Sequence, residues 1–301
     1  MTATNSDVER GGPPAAPASE EHRKFLAKHQ RLMRRKFWQQ PLFVTGVIIL
    51  AGWVLVAIAA PLIAPYEPFS QVHGRYQPPG DGAAFGADSV GRDILSRVIY
   101  GARLSIPYGV LLVLLSALIG SVLGGLAGFL GAWVDEVIMR FTDMVMSFPT
   151  IILALAVAAV LGPGLLNAVF AISLVAWPPF ARVTRSYVLS LRERDFVNAV
   201  RLLGASTRRA LLKDIVPNLA GPLTVLVMLE IGTAILLLAG LSFLGLGAQP
   251  PDAEWGQMVA DGAIVLHAWW VGTFAGLAIL TVVLAFNLIG DTLRDVVDPR
   301  A

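Results

Sequence analysis

Six stretches of the chain stay apolar long enough to cross a bilayer: 42–63, 105–130, 144–161, 165–183, 219–245 and 271–290. A helix needs about 20 mostly apolar residues to span the hydrocarbon core, and each stretch comes near that length. Glycines and prolines interrupt several of them. Membranes tolerate this because neighbouring helices re-satisfy the freed backbone groups. Gly162-Pro163-Gly164 forces a tight turn between the third and fourth stretches. The pattern predicts an all-α membrane protein with six transmembrane helices, a first one at 42–63 and a five-helix core over 105–290.

The polar positions set a direction. With the N-terminus inside, segments 1–41, 131–143, 184–218 and 291–301, with Arg182, hold nineteen of the 23 Lys and Arg. The outer segments keep only Arg75, Arg92, Arg97 and Arg103. Basic residues accumulate on the cytoplasmic side, so both termini are expected to be cytoplasmic. Residues 1–22 are poor in bulky apolar side chains and read as a disordered cytoplasmic tail. Residues 23–41 are basic, with Phe25, Leu26, Leu32 and Met33 interleaved. They suit an amphipathic helix on the inner leaflet or a simple positive-inside anchor. Because this run abuts a span, nucleic acid is not expected as a partner and membrane lipid is. Residues 64–104 read as an external loop with a short helix, and 291–301 as a cytoplasmic tail.

Composition sharpens the class. Charged residues make up 15% of the 301, against about 25% in soluble domains. The absence of cysteine excludes disulfides and thiolate metal sites. His22, His29, His73 and His267 have no metal-ligand spacing. The first apolar stretch begins near Leu42 and is too long for a cleavable signal peptide. No Gly-Lys pair occurs anywhere, so the Gly-rich loop that cradles nucleotide phosphates is missing. No nucleophile arrangement is visible either. The chain reads as having no catalytic site and no cofactor of its own.

Segment 193–217 is the most informative inner stretch. Phe196, Val197, Val200 and Leu203 fall on one helical face. Gly204 supplies a stop, since glycine readily takes the left-handed conformation at a helix C-terminus. Ser206 can cap a second short helix carrying Ala210, Leu211 and Ile215, and Pro217 either ends it or opens the fifth span. The product is a hairpin with an apolar face and a basic rim. It either fits a partner's groove or packs on its own bundle.

This segment resembles the cytoplasmic coupling loop of ABC-importer permeases, whose pattern is Glu-Ala-Ala, three residues, Gly, nine residues, then Ile-x-Leu-Pro. Asn198-Ala199-Val200, Gly204 and Asp214-Ile215-Val216-Pro217 keep that spacing, with Asn198, Val200 and Asp214 departing from it. Residues 86–105, Leu241-Ser242-Phe243-Leu244-Gly245-Leu246-Gly247, Trp255-Gly256-Gln257-Met258 and Asn287 to Asp295 resemble segments of the dipeptide/oligopeptide/nickel family of bacterial ABC importers. The extra span 42–63 and the loop 64–90 resemble its "C" type permease.

The resemblance implies the type I ABC importer transmembrane fold in the bacterial plasma membrane. It also implies a homologous second permease, two cytoplasmic ATPases that bind ATP and Mg, and an external binding protein that delivers peptide. Dipeptides, longer peptides, nickel, haem and glutathione all pass through relatives. Residues 195–210 are then the coupling helix. Ala199, Gly204 and Ala205 allow close approach, Phe196 and Leu203 fill pockets, and Asn198 opens the motif.

Glu230 is the one acid deep inside a span. An intramembrane carboxyl is costly and functional by default, so it either faces the pathway or bonds a neighbouring helix. Ser116, Gly120, Gly124, Gly128 and Ala132 recur every four residues, a small-residue ridge that lets helices approach. The ridge packs within the chain or against the second permease. Trp133, Trp177, Trp255, Trp269 and Trp270 are expected at the membrane interfaces. Segments 64–104 and 246–270, with Tyr66, Glu67, Phe69, Tyr76, Asp81, Asp88, Asp93, Asp252, Glu254 and Asp261, are expected to dock the binding protein. A stand-alone secondary transporter would usually show inverted repeats or several intramembrane charges, and fits poorly.

Overall fold

The computed structural model describes residues 40–192 and 216–297, and those residues are mostly helical. The expected tail 1–22, nearly all of segment 23–41 and the coupling loop lie outside the described residues. α1 (Pro41–Ile63) has no charged side chain and starts on a proline, where the missing N–H costs nothing. α2 runs unbroken over Ile94–Leu130, 37 residues. Its start lies well before the expected 105. The Asp93 carboxylate caps it by accepting from Ser96 N at 2.7 Å, and Ile94, Val98, Ile99 and Ala102 are buried on its first turns. Residues 94–104 therefore extend the second span rather than form a separate short helix.

The third span departs from expectation. Instead of one helix over 144–161, α3 (Ala132–Met146) and α4 (Thr150–Leu161) meet at a 93° bend. The break is Ser147-Phe148-Pro149. Proline has no N–H for the carbonyl four residues back and disfavours helix in the residue before it. At 12 residues, α4 is about 18 Å long, too short to cross alone. Among the described residues, five helical segments are long and apolar enough to span, and there is a sixth only if the bent pair counts as one.

α5 (Leu165–Ser173) continues into α6 (Pro178–Arg192) through a break at 174–177, again ahead of prolines. α7 covers Val216–Phe243 and ends in a glycine-assisted stop, with Gly245 at φ 81° and the amides of Leu246 and Gly247 donating to Leu241 O. α8 (Trp255–Ala263), a single 3-10 turn and α9 (Trp270–Val297) close the chain. α9 runs past 290, so the expected tail is helical through Val297.

α2 is the central element, packing on α6, α7, α1 and α5, while α9 packs on α7, α8 and α1. The core is one cluster built on Leu112, Val169, Ile172, Ile235, Leu241 and Val282. The small-residue ridge belongs to this interior. A Cβ on Gly124 would lie 2.1 Å from Ala181 O, and one on Gly128 would meet Val188 and Arg185. Residues 120–128 thus pack within the chain, against α6.

Candidate functional site

The site is built by a carboxyl group inside an apolar helix and by two broken helices opposite it. Glu230 sits mid-way along α7, flanked by Leu229 and Ile231. It borders a cavity of about 140 Å³ together with Val145, Phe148, Thr150, Val175, Pro179 and Thr233. A second space of about 10 Å³, the size of one water, lies between Glu230, Ser116, Ala176 and Phe180. Residues 145–150 are the α3–α4 elbow and residues 175–179 are the α5–α6 elbow. Both meet at Glu230.

The prolines explain why this wall is polar. Pro178 and Pro179 offer no N–H to the carbonyls of Leu174 and Val175, and Pro149 offers none to Val145. The Trp177 indole takes Leu174 O at 3.1 Å, and Phe148 N reaches Val145 O at 3.4 Å. The Val175 carbonyl is left without its helical donor. Among the described residues the Glu230 carboxyl has no hydrogen-bond or ion-pair partner. The cavity therefore sets a carboxyl and a carbonyl without its helical donor beside the hydroxyls of Thr150 and Thr233, a lining that can take an N–H-bearing guest.

The far end of the bundle, where α1 stops and α2 starts, is closed by loop 64–93 folded onto residues 249–270. Arg97 holds the two together. It donates to Pro68 O and Pro251 O at 3.3 Å and to Asp252 O at 3.1 Å, with Asp88 at 3.8 Å. Asp88 in turn accepts from Arg92 Nε at 2.5 Å and from the amides of Val90 and Arg92. Glu254 caps α8 through Gln257 N and accepts from Ser105 Oγ at 3.0 Å. The Trp255 and Trp270 indoles donate to Val98 O and Ala87 O. Asp261 accepts from Gln257 at 3.0 Å. Burial pushes its carboxyl up, against the opposing pull of Gln257 and the Arg97 charge.

These bonds correct two expectations. Asp88, Asp93 and Glu254 are buried and engaged inside the cap, so they are no part of a docking surface; Tyr66, Glu67, Phe69 and Asp81 remain exposed. Trp177, Trp255 and Trp270 are core side chains, and only Trp133 and Trp269 are exposed as interface markers would be. The satisfied carboxylates could not be told from surface ones by composition alone.

Of the expected site residues, the structure places Glu230 in the cavity. Phe196, Asn198, Ala199, Leu203, Gly204 and Ala205 lie outside the described residues. The helix leading into them is braced: Arg185 forms a two-pronged pair with Asp135, and Arg182 meets Asp143 at 2.5 Å, tying α6 to α3. Sequence reasoning missed both elbows, although Ser147-Phe148-Pro149 and Pro178-Pro179 were the available signals.

Known proteins resemble this chain in sequence and in fold. Residues 120–301 match the family model described as binding-protein-dependent transport system inner membrane component. Residues 31–79 match the N-terminal TM domain of oligopeptide transport permease C. A dipeptide transport system permease protein, DppC, of Alkalihalophilus pseudofirmus is 44% identical, covering 86% of each chain. A probable D,D-dipeptide transport system permease protein, DdpC, of Escherichia coli K12 is 43% identical over 87% of this chain and 88% of its own. A glutathione transport system permease protein, GsiD, of Escherichia coli O6 is 43% identical over 88% of this chain and 89% of its own. Among solved structures, a chain of the MetNI methionine ABC transporter in inward-facing conformations superposes with a TM-score of 0.55. It is 18% identical and covers 68% of this chain and 98% of that one. That likeness speaks for the fold.

Proposed function

Since the chain belongs to the family of inner membrane components of binding-protein-dependent transport systems, we propose that it forms half of an ATP-driven import pathway for peptides. A homologous second permease forms the other half. An external binding protein delivers cargo to the capped end, two cytoplasmic ATPases bind ATP and Mg, and both termini face the cytoplasm. Residues 195–210 seat in an ATPase cleft, so closure of the ATPase pair rocks α6 and α7 and opens the bundle outward. The braces from α3 to α6 support this reading, because they make the helix entering the loop a stiff lever.

The observation that carries the cargo reading is the cavity at Glu230. A carboxyl beside an elbow carbonyl that lacks its helical amide donor offers acceptors to the α-ammonium of a short peptide and its adjoining N–H groups. Glutathione is a second reading, favoured by the GsiD relative; it too carries an ammonium group and peptide N–H donors.

The test is reconstitution with the partner permease, ATPases and binding protein. Gly204→Pro and Gly204→Trp are expected to insert normally, lose ATPase co-purification and abolish uptake. Normal transport by either variant removes 195–210 from the coupling role. Transport by this chain without an ATPase overturns the importer reading itself.

A further inference from the structure

We propose that Arg103 and the groove between α1 and α2 form a phospholipid site, with the lipid phosphate on the guanidinium and one acyl chain along the groove. The groove has a volume of about 400 Å³, with Val54, Ala57 and Ile58 on the α1 side and Arg103, Ile106 and Pro107 on the α2 side. Its floor is packed protein, since Ala102 and Ile106 are buried, while its rim is open, with Ile58 72% exposed. That is a slot of hydrocarbon character on the outside of the bundle.

The charge in this slot needs explaining. Arg103 is exposed, and among the described residues it has no hydrogen-bond or ion-pair partner. Neither wall can supply a counter-charge, because α1 carries no charged side chain and α2 carries only the like charges Arg97 and Arg103. Arg97 is buried and committed to the cap carbonyls. An unpaired guanidinium facing lipid is costly, so its counter-ion comes from outside the described residues.

Geometry selects a phosphate at the headgroup level. Arg103 lies nine residues into α2, about 14 Å along the helix. Helical side chains lean towards the N-terminus, so the long stem points to the membrane surface at the capped end, as snorkelling arginines do. Pro107 adds a second feature. It has no N–H for the carbonyl of Arg103, so that carbonyl lacks its helical donor and adds polarity to the groove wall. Charge and acyl slot share one groove, which is the layout of one lipid molecule. The inference requires only that the chain is embedded in the membrane, and stands whatever the cargo.

Native mass spectrometry of the complete, delipidated importer tests it, by titration with phosphatidylglycerol and with diacylglycerol of the same chains. The wild type is expected to hold phosphatidylglycerol about tenfold more tightly, the scale of one charge-assisted hydrogen bond. Arg103→Gln should erase that preference, Arg103→Lys should keep part of it, and Ala57→Trp, which fills the slot, should weaken both lipids. Equal affinities in the wild type, a preference that survives Arg103→Gln, or no effect of Ala57→Trp overturns the site. So does a photo-crosslinker at position 103 that captures the second permease instead of lipid. The Lys and Trp variants keep the test decisive should the Gln variant fail to assemble.

Discussion

Glu230 occupies a position that any apolar residue would fill at lower cost. Burying an acid mid-span costs on the order of 3 kcal/mol, and no partner among the described residues offsets it. Its neighbours in the cavity, Ser116 and Thr233, are polar but small, which leaves space for a guest. Glu230→Gln preserves the volume and removes the charge. Uptake of peptides with a free amino terminus is expected to fall about tenfold or more, while membrane insertion and assembly with the ATPases stay intact. Removing the unpaired acid should also raise the thermal stability of the assembly. Reconstituted uptake with free and N-acetylated peptides measures this; unchanged rates and unchanged cargo range would assign Glu230 a purely structural role.

Between elements, the seam of α2 with α6 is the tightest contact. Gly124 has no room for a methyl group, whereas a Cβ on the adjacent Gly125 would meet nothing within 4 Å. Gly124→Ala forces backbone against backbone and should destabilise the permease by about 1–3 kcal/mol. Gly125→Ala should be neutral or stabilise it by up to about 1 kcal/mol, since alanine is the better helix former. Thermal unfolding of the two purified variants gives the comparison. Equal losses would mean that the ridge faces something other than α6. The elbows act at the same scale: each proline break turns a helix end towards Glu230.

For the whole molecule, the quantity to measure is direction across the membrane. The chain has no cysteine, so single introduced thiols can be read without background. Asp81→Cys in the cap should react with a membrane-impermeant maleimide in intact cells, and Arg140→Cys on α3 only after permeabilisation; both positions are exposed. The reverse pattern would invert the molecule and place loop 193–217 outside the cell.

Hydropathy, a charge count and a handful of motifs were enough to identify a multi-pass helical permease, because bilayer thickness and backbone desolvation act on local composition. The lone acid at 230 was equally visible. Composition could not say which carboxylates were spent internally, so Asp88, Asp93 and Glu254 looked like surface groups until their donors came into view. Nor could it show that prolines at 149 and 178–179, thirty residues apart, bend two helices onto one carboxyl. Propensity is a property of neighbours in the chain. The cavity, the cap and the groove at Arg103 are properties of neighbours in space, and only the packing of α2 against α1, α6 and α7 decided them.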